Sequence, residues 1–254
     1  MPEAFDVPAR LEALWGTRTL PVDAGVLHVV ATWFDGESHR VIRITPRSPK
    51  SETDFFVLNL ARARADAIIT TGRILRDEPE LEYALPSAWA DSLIAWRQAA
   101  LHRDSPPRVV VLTSGQDVDP DHPTFHGWAS PVVVTSPDAA RALRRDLPGH
   151  VDVIGLASTG VRDVVRWCRD DGARTISVEA GPSTACALYA DPGIVDELSW
   201  SQFCASDLPH DLRGGVAFSR PPETAGLRRS ARPTTRDEMS GPWRFLRYVR
   251  AEPG

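Results

Sequence analysis

The part of this chain best equipped for chemistry is an acid beside a small-residue turn. Residues 174–189 read RTISVEAGPSTACALY: an apolar run from Thr175 to Val178 ends in Glu179, and Ala180, Gly181 and Pro182 form a turn. Ser183 and Thr184 then lead into a small, apolar run that suits a helix. Gly181 can take a backbone with φ above zero and leaves room for a ligand to approach. Pro182 and Ser183 sit where helices like to begin. The first N–H groups of a helix have no internal partner, and its dipole favours an anion there. The stretch therefore reads as a phosphate cradle with a carboxylate beside it, although an ordinary strand-to-helix turn carries the same signature.

A turn can hold a ligand only if rigid elements place it. Val26 to Phe34 is a β-branched and aromatic run that reads as a buried strand ending in the turn Asp35-Gly36. Residues 38–51 read as a strand fragment and loop, with Ser51 capping a helix that runs to about Arg64. Short strands are expected at Ala67–Thr71, Arg108–Leu112, Pro131–Thr135, Val151–Leu156 and Thr175–Val178, with a longer one over Val195–Cys204. Helices are expected at Pro8–Trp15, Ser87–Leu101, Asp138–Leu147 and Val161–Arg169, and loops over 73–86 and 205–222. Two strands near the end, Gly226–Ala231 and Trp243–Val249, suit an antiparallel pair. Strands alternating with helices predict an α/β fold with a mostly parallel sheet, helices on both faces and an antiparallel C-terminal strand pair. Ligands in such sheets lie beyond the carboxyl ends of the strands. The turns after Phe34, Thr71, Leu112 and Val178 thereby become the site candidates. Residues 1–24 read as an N-terminal extension and 25–254 as a single domain.

Composition narrows the function. The chain has 254 residues, 42% hydrophobic and 25% charged, with a net charge of −5. That balance suits a folded globular protein and excludes a nucleic-acid binder held by bulk positive charge. Lys50 is the single lysine, so lysine chemistry is confined to that position. Cys168, Cys186 and Cys204 lack a CxxC spacing, which predicts reduced thiols and a cytoplasmic protein. No apolar run is long enough for a membrane span, and the N-terminus lacks a signal-peptide pattern. His122 and His126 lack a third ligand, so no metal is expected. Trp33, at the end of its strand, could stack on a planar ring.

Two blocks, RADAIITTGRILRDEPEL (64–81) and ISVEAGPSTACALYADPGIVDEL (176–198), resemble in order and separation the reductase domain of riboflavin biosynthesis. That domain is usually fused to a pyrimidine deaminase and has a dihydrofolate-reductase-like fold. Asp35-Gly36 matches a third element. No deaminase domain is expected in these 254 residues, where its HxE…PCxxC zinc pattern is absent. The resemblance implies an NADPH-dependent reductase of a pyrimidine-like substrate, and a homodimer. It implies cofactor contacts at Thr32, Gly72, Arg73, Asp77, Ser114, Gly181, Pro182, Ser183 and Thr184. Asp35, Leu81 and Glu179 fall at substrate positions.

The departures are specific. Val29 replaces the family's lysine, Trp33-Phe34-Asp35-Gly36 its Ser-Leu-Asp-Gly segment, and ITPRSPKS a serine- and tryptophan-bearing one. Thr70-Thr71-Gly72-Arg73 puts an arginine where a small hydroxyl residue is usual, and Glu-Ala-Gly replaces Glu-Gly-Gly. Ala84 stands where an arginine meets the substrate phosphate, which removes a charge-assisted contact. Arg43, Arg47 or Arg73 could compensate, or the substrate could lack that phosphate. Hydride transfer needs the nicotinamide held close to its acceptor and a proton source. Glu179 and Asp77 are the catalytic candidates, with Asp35 third. The alternative is a non-catalytic ligand-binding protein that kept the fold.

Overall fold

Apolar β-branched runs flanked by amphipathic stretches dictate the architecture. A computed structural model describes residues 5–116 and 118–251. In chain order the elements are α1 (Val7–Trp15), β1 (Gly25–Phe34), β2 (His39–Ile42), α2 (Glu52–Arg64), β3 (Ala67–Thr71), α3 (Gly72–Asp77), α4 (Ala90–Leu101) and β4 (Arg108–Leu112). They continue with β5 (Ser130–Thr135), α5 (Pro137–Asp146), β6 (Asp152–Gly155), α6 (Val161–Asp170), β7 (Thr175–Val178), α7 (Pro182–Ala185) and β8 (Glu197–Phe203). The last four are β9 (Arg213–Val216), β10 (Leu227–Arg229), β11 (Thr234–Glu238) and β12 (Gly241–Arg250).

The chain divides into two compact units, one of residues 62–181 and one of residues 1–61 with 182–254. In the first, strands lie in the order β7-β3-β4-β5-β6, all parallel. Every residue of β3 and β7 is buried, as expected of a parallel sheet covered on both faces. Ile68, Val109, Val111 and Val133 form its core with Leu75, Tyr83 and Phe125. In the second unit, β1 runs parallel to β8, and β12 lies antiparallel to β8, β10 and β11. Its core gathers Trp33, Phe203, Trp243, Phe245 and Leu212. The expected fold, a mostly parallel α/β sheet with antiparallel C-terminal strands, is observed.

Several local expectations are corrected. Residues 73–86 are not all loop, because Thr71 caps α3: its Oγ1 accepts from the Ile74 amide at 3.3 Å. Residues 205–222 include β9, whose glycine-rich RGGV has no strand signature and is held by pairing with β2. The C-terminal pair is three strands. The polar run TTRDE forms β11 because β12 supplies a backbone partner at each of its residues. The helix after Gly181 is only the four residues of α7, followed by a 3-10 turn at Cys186–Tyr189. Gly181 does not have a left-handed φ, unlike Gly36 and Gly115.

Candidate functional site

In the unit of residues 62–181, the carboxyl ends of β7, β3 and β4 lie side by side, with Val178 beside Ile69 and Thr71 beside Leu112. Glu179 follows β7 directly, and its amide donates to the Ile69 carbonyl at 2.8 Å. Both carboxylate oxygens accept from Arg62, in the last turn of α2. Nε lies 2.9 Å from Oε1 and 3.1 Å from Oε2, and Nη2 lies 2.7 Å from Oε2. The side chains of Arg62 and Glu179 are 8% and 10% exposed. The Arg62 guanidinium stands 4.7 Å from the ring centroid of buried Tyr83. Burial works against the Arg62 charge, but the adjoining Glu179 outweighs it and raises the proton affinity of the guanidinium. Burial, reinforced by the Glu179 charge, pushes the Tyr83 phenol well up. Burial also raises the carboxyl of Glu78, with Arg62 partly offsetting. A side chain added at Gly181 would meet nothing within 4 Å, so open space adjoins this cluster.

The other expected residues of this unit differ in what they can do. Gly72 is needed for packing, since a Cβ there would lie 2.8 Å from Thr113 Oγ1. Arg73 and Asp77 form an exposed ion pair one helical turn apart, at 3.5 Å. Asp77 is thus a surface carboxylate. Ser114 is exposed just beyond β4. It precedes Gly115, whose left-handed backbone lets its amide donate to Thr113 Oγ1 at 3.1 Å. Leu81 is half-buried against the core.

In the other unit, Thr32 is fully buried. Its Oγ1 accepts from Trp200 Nε1 at 2.8 Å and lies 3.4 Å from His39 Nδ1, so the hydroxyl is engaged inside the fold. Asp35 accepts from the amides of Glu37 and Ser38 at 2.9 and 2.7 Å and from Arg40 Nε at 2.6 Å. The Arg40 bond, helped by those amides, holds its carboxyl well below the usual carboxylate range. Trp33 does not offer a stacking face: it is 5% exposed, donates through Nε1 to the Ala205 carbonyl at 2.9 Å and lies beneath Arg213. The open ring is Phe34, 50% exposed. It borders a cavity of about 450 Å³ at the ends of β1 and β8 that also includes His39, Gln202 and Asp207. Ser183 is exposed and Thr184 half-buried on α7, and Pro182 lies close beneath Gly215. With four residues, α7 lacks the summed dipole of a long helix.

Sequence reasoning reached Glu179 but missed Arg62 and Tyr83. Arg62 lies in the run ARARAD, which reads as a charged helix end, and Tyr83 lies in a stretch without periodicity. No local signal marks either.

The sequence profile of the RibD C-terminal domain family matches residues 35–203. No curated protein sequence matches the chain significantly. Among solved structures, a pyrimidine reductase-like protein from Corynebacterium diphtheriae is 21% identical, with a TM-score of 0.68 covering 96% of this chain and 99% of that one. The riboflavin biosynthesis reductase Rib7 of Saccharomyces cerevisiae is 17% identical, with a TM-score of 0.56 over 97% and 100%. The diaminohydroxyphosphoribosylaminopyrimidine deaminase/5-amino-6-(5-phosphoribosylamino)uracil reductase of Thermotoga maritima is 17% identical, with a TM-score of 0.60. That match covers 90% of this chain and 57% of the bifunctional protein, so the chain spans little more than half of its length. At these identities the structures share the fold.

Proposed function

The chain belongs to the RibD C-terminal domain family, and we propose that it is an NADPH-dependent reductase of a small pyrimidine-like heterocycle of the riboflavin-pathway type. The observation that carries this reading is the anchored carboxylate of Glu179 beside open space at Gly181, at the carboxyl ends of three parallel strands. The residues fit a dinucleotide: the backbone at Gly181 carries no side chain and has open space beside it, and Ser114 and Arg73 are exposed at neighbouring strand ends. Gly72, Arg73, Ser114 and Gly181 would hold the cofactor, which when bound supplies a hydride. Glu179 would anchor the substrate, its two oxygens set as acceptors by Arg62. Asp77, exposed and paired with Arg73, serves the cofactor side in this reading.

Thermal stability with NADPH, NADH or buffer tests the cofactor. Loss of reduced-nicotinamide absorbance with 5-amino-6-(5-phosphoribosylamino)uracil tests the reaction. NADPH stabilising the protein above NADH, with turnover that Glu179→Gln reduces, is expected. No stabilisation by NADPH refutes the reading. A second reading, a non-catalytic binding protein that kept the fold, is favoured by Val29 and Ala84, which stand where the family carries a lysine and an arginine. Binding of NADPH without reduction of any pyrimidine, pterin or flavin precursor would establish it. The homodimer implied by the family is part of the proposal, and light scattering tests it. The described thiols of Cys168, Cys186 and Cys204 are unpaired, and no described helix is long and apolar enough to cross a membrane. A cytoplasmic location is part of the proposal, as the riboflavin-pathway reading implies.

A further inference from the structure

We propose that Arg62 is a positioning residue: acting through Glu179, it fixes that carboxylate as an acceptor for N–H or O–H donors on a bound ligand. The inference rests on the reductase reading and deepens it. Three contacts from one planar guanidinium hold both oxygens of Glu179, which stops the carboxylate from rotating. The guanidinium is itself held against Tyr83. A carboxylate has about four acceptor positions. Arg62 Nε is shared between the two oxygens and Nη2 bonds Oε2 alone, so Oε1 keeps acceptor capacity. The side chain retains a small opening, and Gly181 two residues on leaves the space beside it clear.

A buried ion pair with a purely structural purpose has little advantage over apolar residues of similar volume. At the end of β7 the pair does something apolar residues cannot: it presents a fixed anion at a ligand-facing strand end. The geometry suits an acceptor and not a proton donor. The ligand chemistry it selects is a donor-rich edge, either the amino and ring N–H groups of a pyrimidine or the vicinal hydroxyls of a ribose.

The test is calorimetric titration of wild type, Arg62→Lys, Arg62→Met and Glu179→Gln. The probes are NADPH, 5-amino-6-(5-phosphoribosylamino)uracil and 5,6-diaminouracil, the last lacking any sugar. Arg62→Lys keeps the charge but loses the fork, and about tenfold weaker binding is expected, with roughly 100-fold for Arg62→Met. Glu179→Gln, which loses one acceptor oxygen, should bind as weakly as Arg62→Met, while Arg62→Lys, which keeps the charge beside Glu179, recovers part of the affinity. A loss with either ribose-bearing probe, NADPH or the phosphoribosylaminouracil, that spares 5,6-diaminouracil assigns the donors to ribose. A loss with both uracil compounds assigns them to the heterocycle. Should Arg62→Met not fold, Arg62→Lys carries the test. Variants that bind as wild type does, whatever their melting temperatures, overturn the positioning role and leave the reductase reading intact. A wild type that binds none of the three probes overturns both.

Discussion

Asp54, in the first turn of α2, offers a quantitative test of the packing. Its Oδ1 is buried with no hydrogen-bond partner among the described residues. The groups around it offer little compensation. Ser51 Oγ accepts from the Asp54 amide at 2.9 Å, and Glu238 of β11 accepts from the Thr53 amide at 3.3 Å. Arg10 of α1 is spent on Thr53 Oγ1 at 3.0 Å and on Glu52 at 3.7 Å. Burial pushes the Asp54 carboxyl up to about 6, partly offset by the Ser201 hydroxyl and reinforced by the Glu238 charge. A carboxyl whose proton is held more tightly in the folded state favours folding while protonated. Its contribution is complete below the ordinary 3.8 and lost as pH rises through about 6. At about 1.36 kcal/mol per pH unit, the ionised group costs up to roughly 3 kcal/mol above neutrality. Asp54→Asn removes that cost. Its melting temperature should match wild type near pH 4 and exceed it by roughly 6–10 °C near pH 8. Calorimetric melting of both proteins across that range is the assay. A difference that does not vary with pH, or a variant less stable at pH 8, refutes the reasoning.

Other outcomes follow from single contacts. Gly72→Ala forces a Cβ to within 2.8 Å of Thr113 Oγ1 and should cost about 1–3 kcal/mol in denaturant unfolding, partly restored by Thr113→Ala. His28 is buried, its Nδ1 2.7 Å from the Tyr189 hydroxyl, and burial holds its imidazole down to about 4. The stability its neutral ring contributes is present above about 6.5 and lost as pH falls toward 4. Tyr189→Phe should cost about 1–3 kcal/mol near neutral pH, and His28→Phe should flatten the acid limb of the stability curve. Arg62→Met should cost about 3–5 kcal/mol by leaving Glu179 unpaired, while Arg62→Met with Glu179→Met recovers most of it.

The sequence by itself determined the parallel core and the place of the candidate carboxylate Glu179. Strands β3, β4 and β7 begin and end where the sequence places them, because a strand buried on both faces reads as a short run dominated by apolar and β-branched residues with no charge in its interior. Glu179 at the end of β7 follows from the same run. Tertiary structure alone decided what that carboxylate is. Arg62 lies 117 residues away in sequence, and only the folded chain brings its guanidinium to Glu179. It likewise hid Thr32 and Trp33 and opened Phe34, since which end residues of a strand face solvent depends on what the following loops cover. Strands β9 and β11 carry polar or glycine-rich sequences and exist because β2 and β12 supply hydrogen-bonding edges. A local pattern reports how much apolar surface a segment must bury. It does not report which distant backbone or charge will meet it, and the character of this site depends on those meetings.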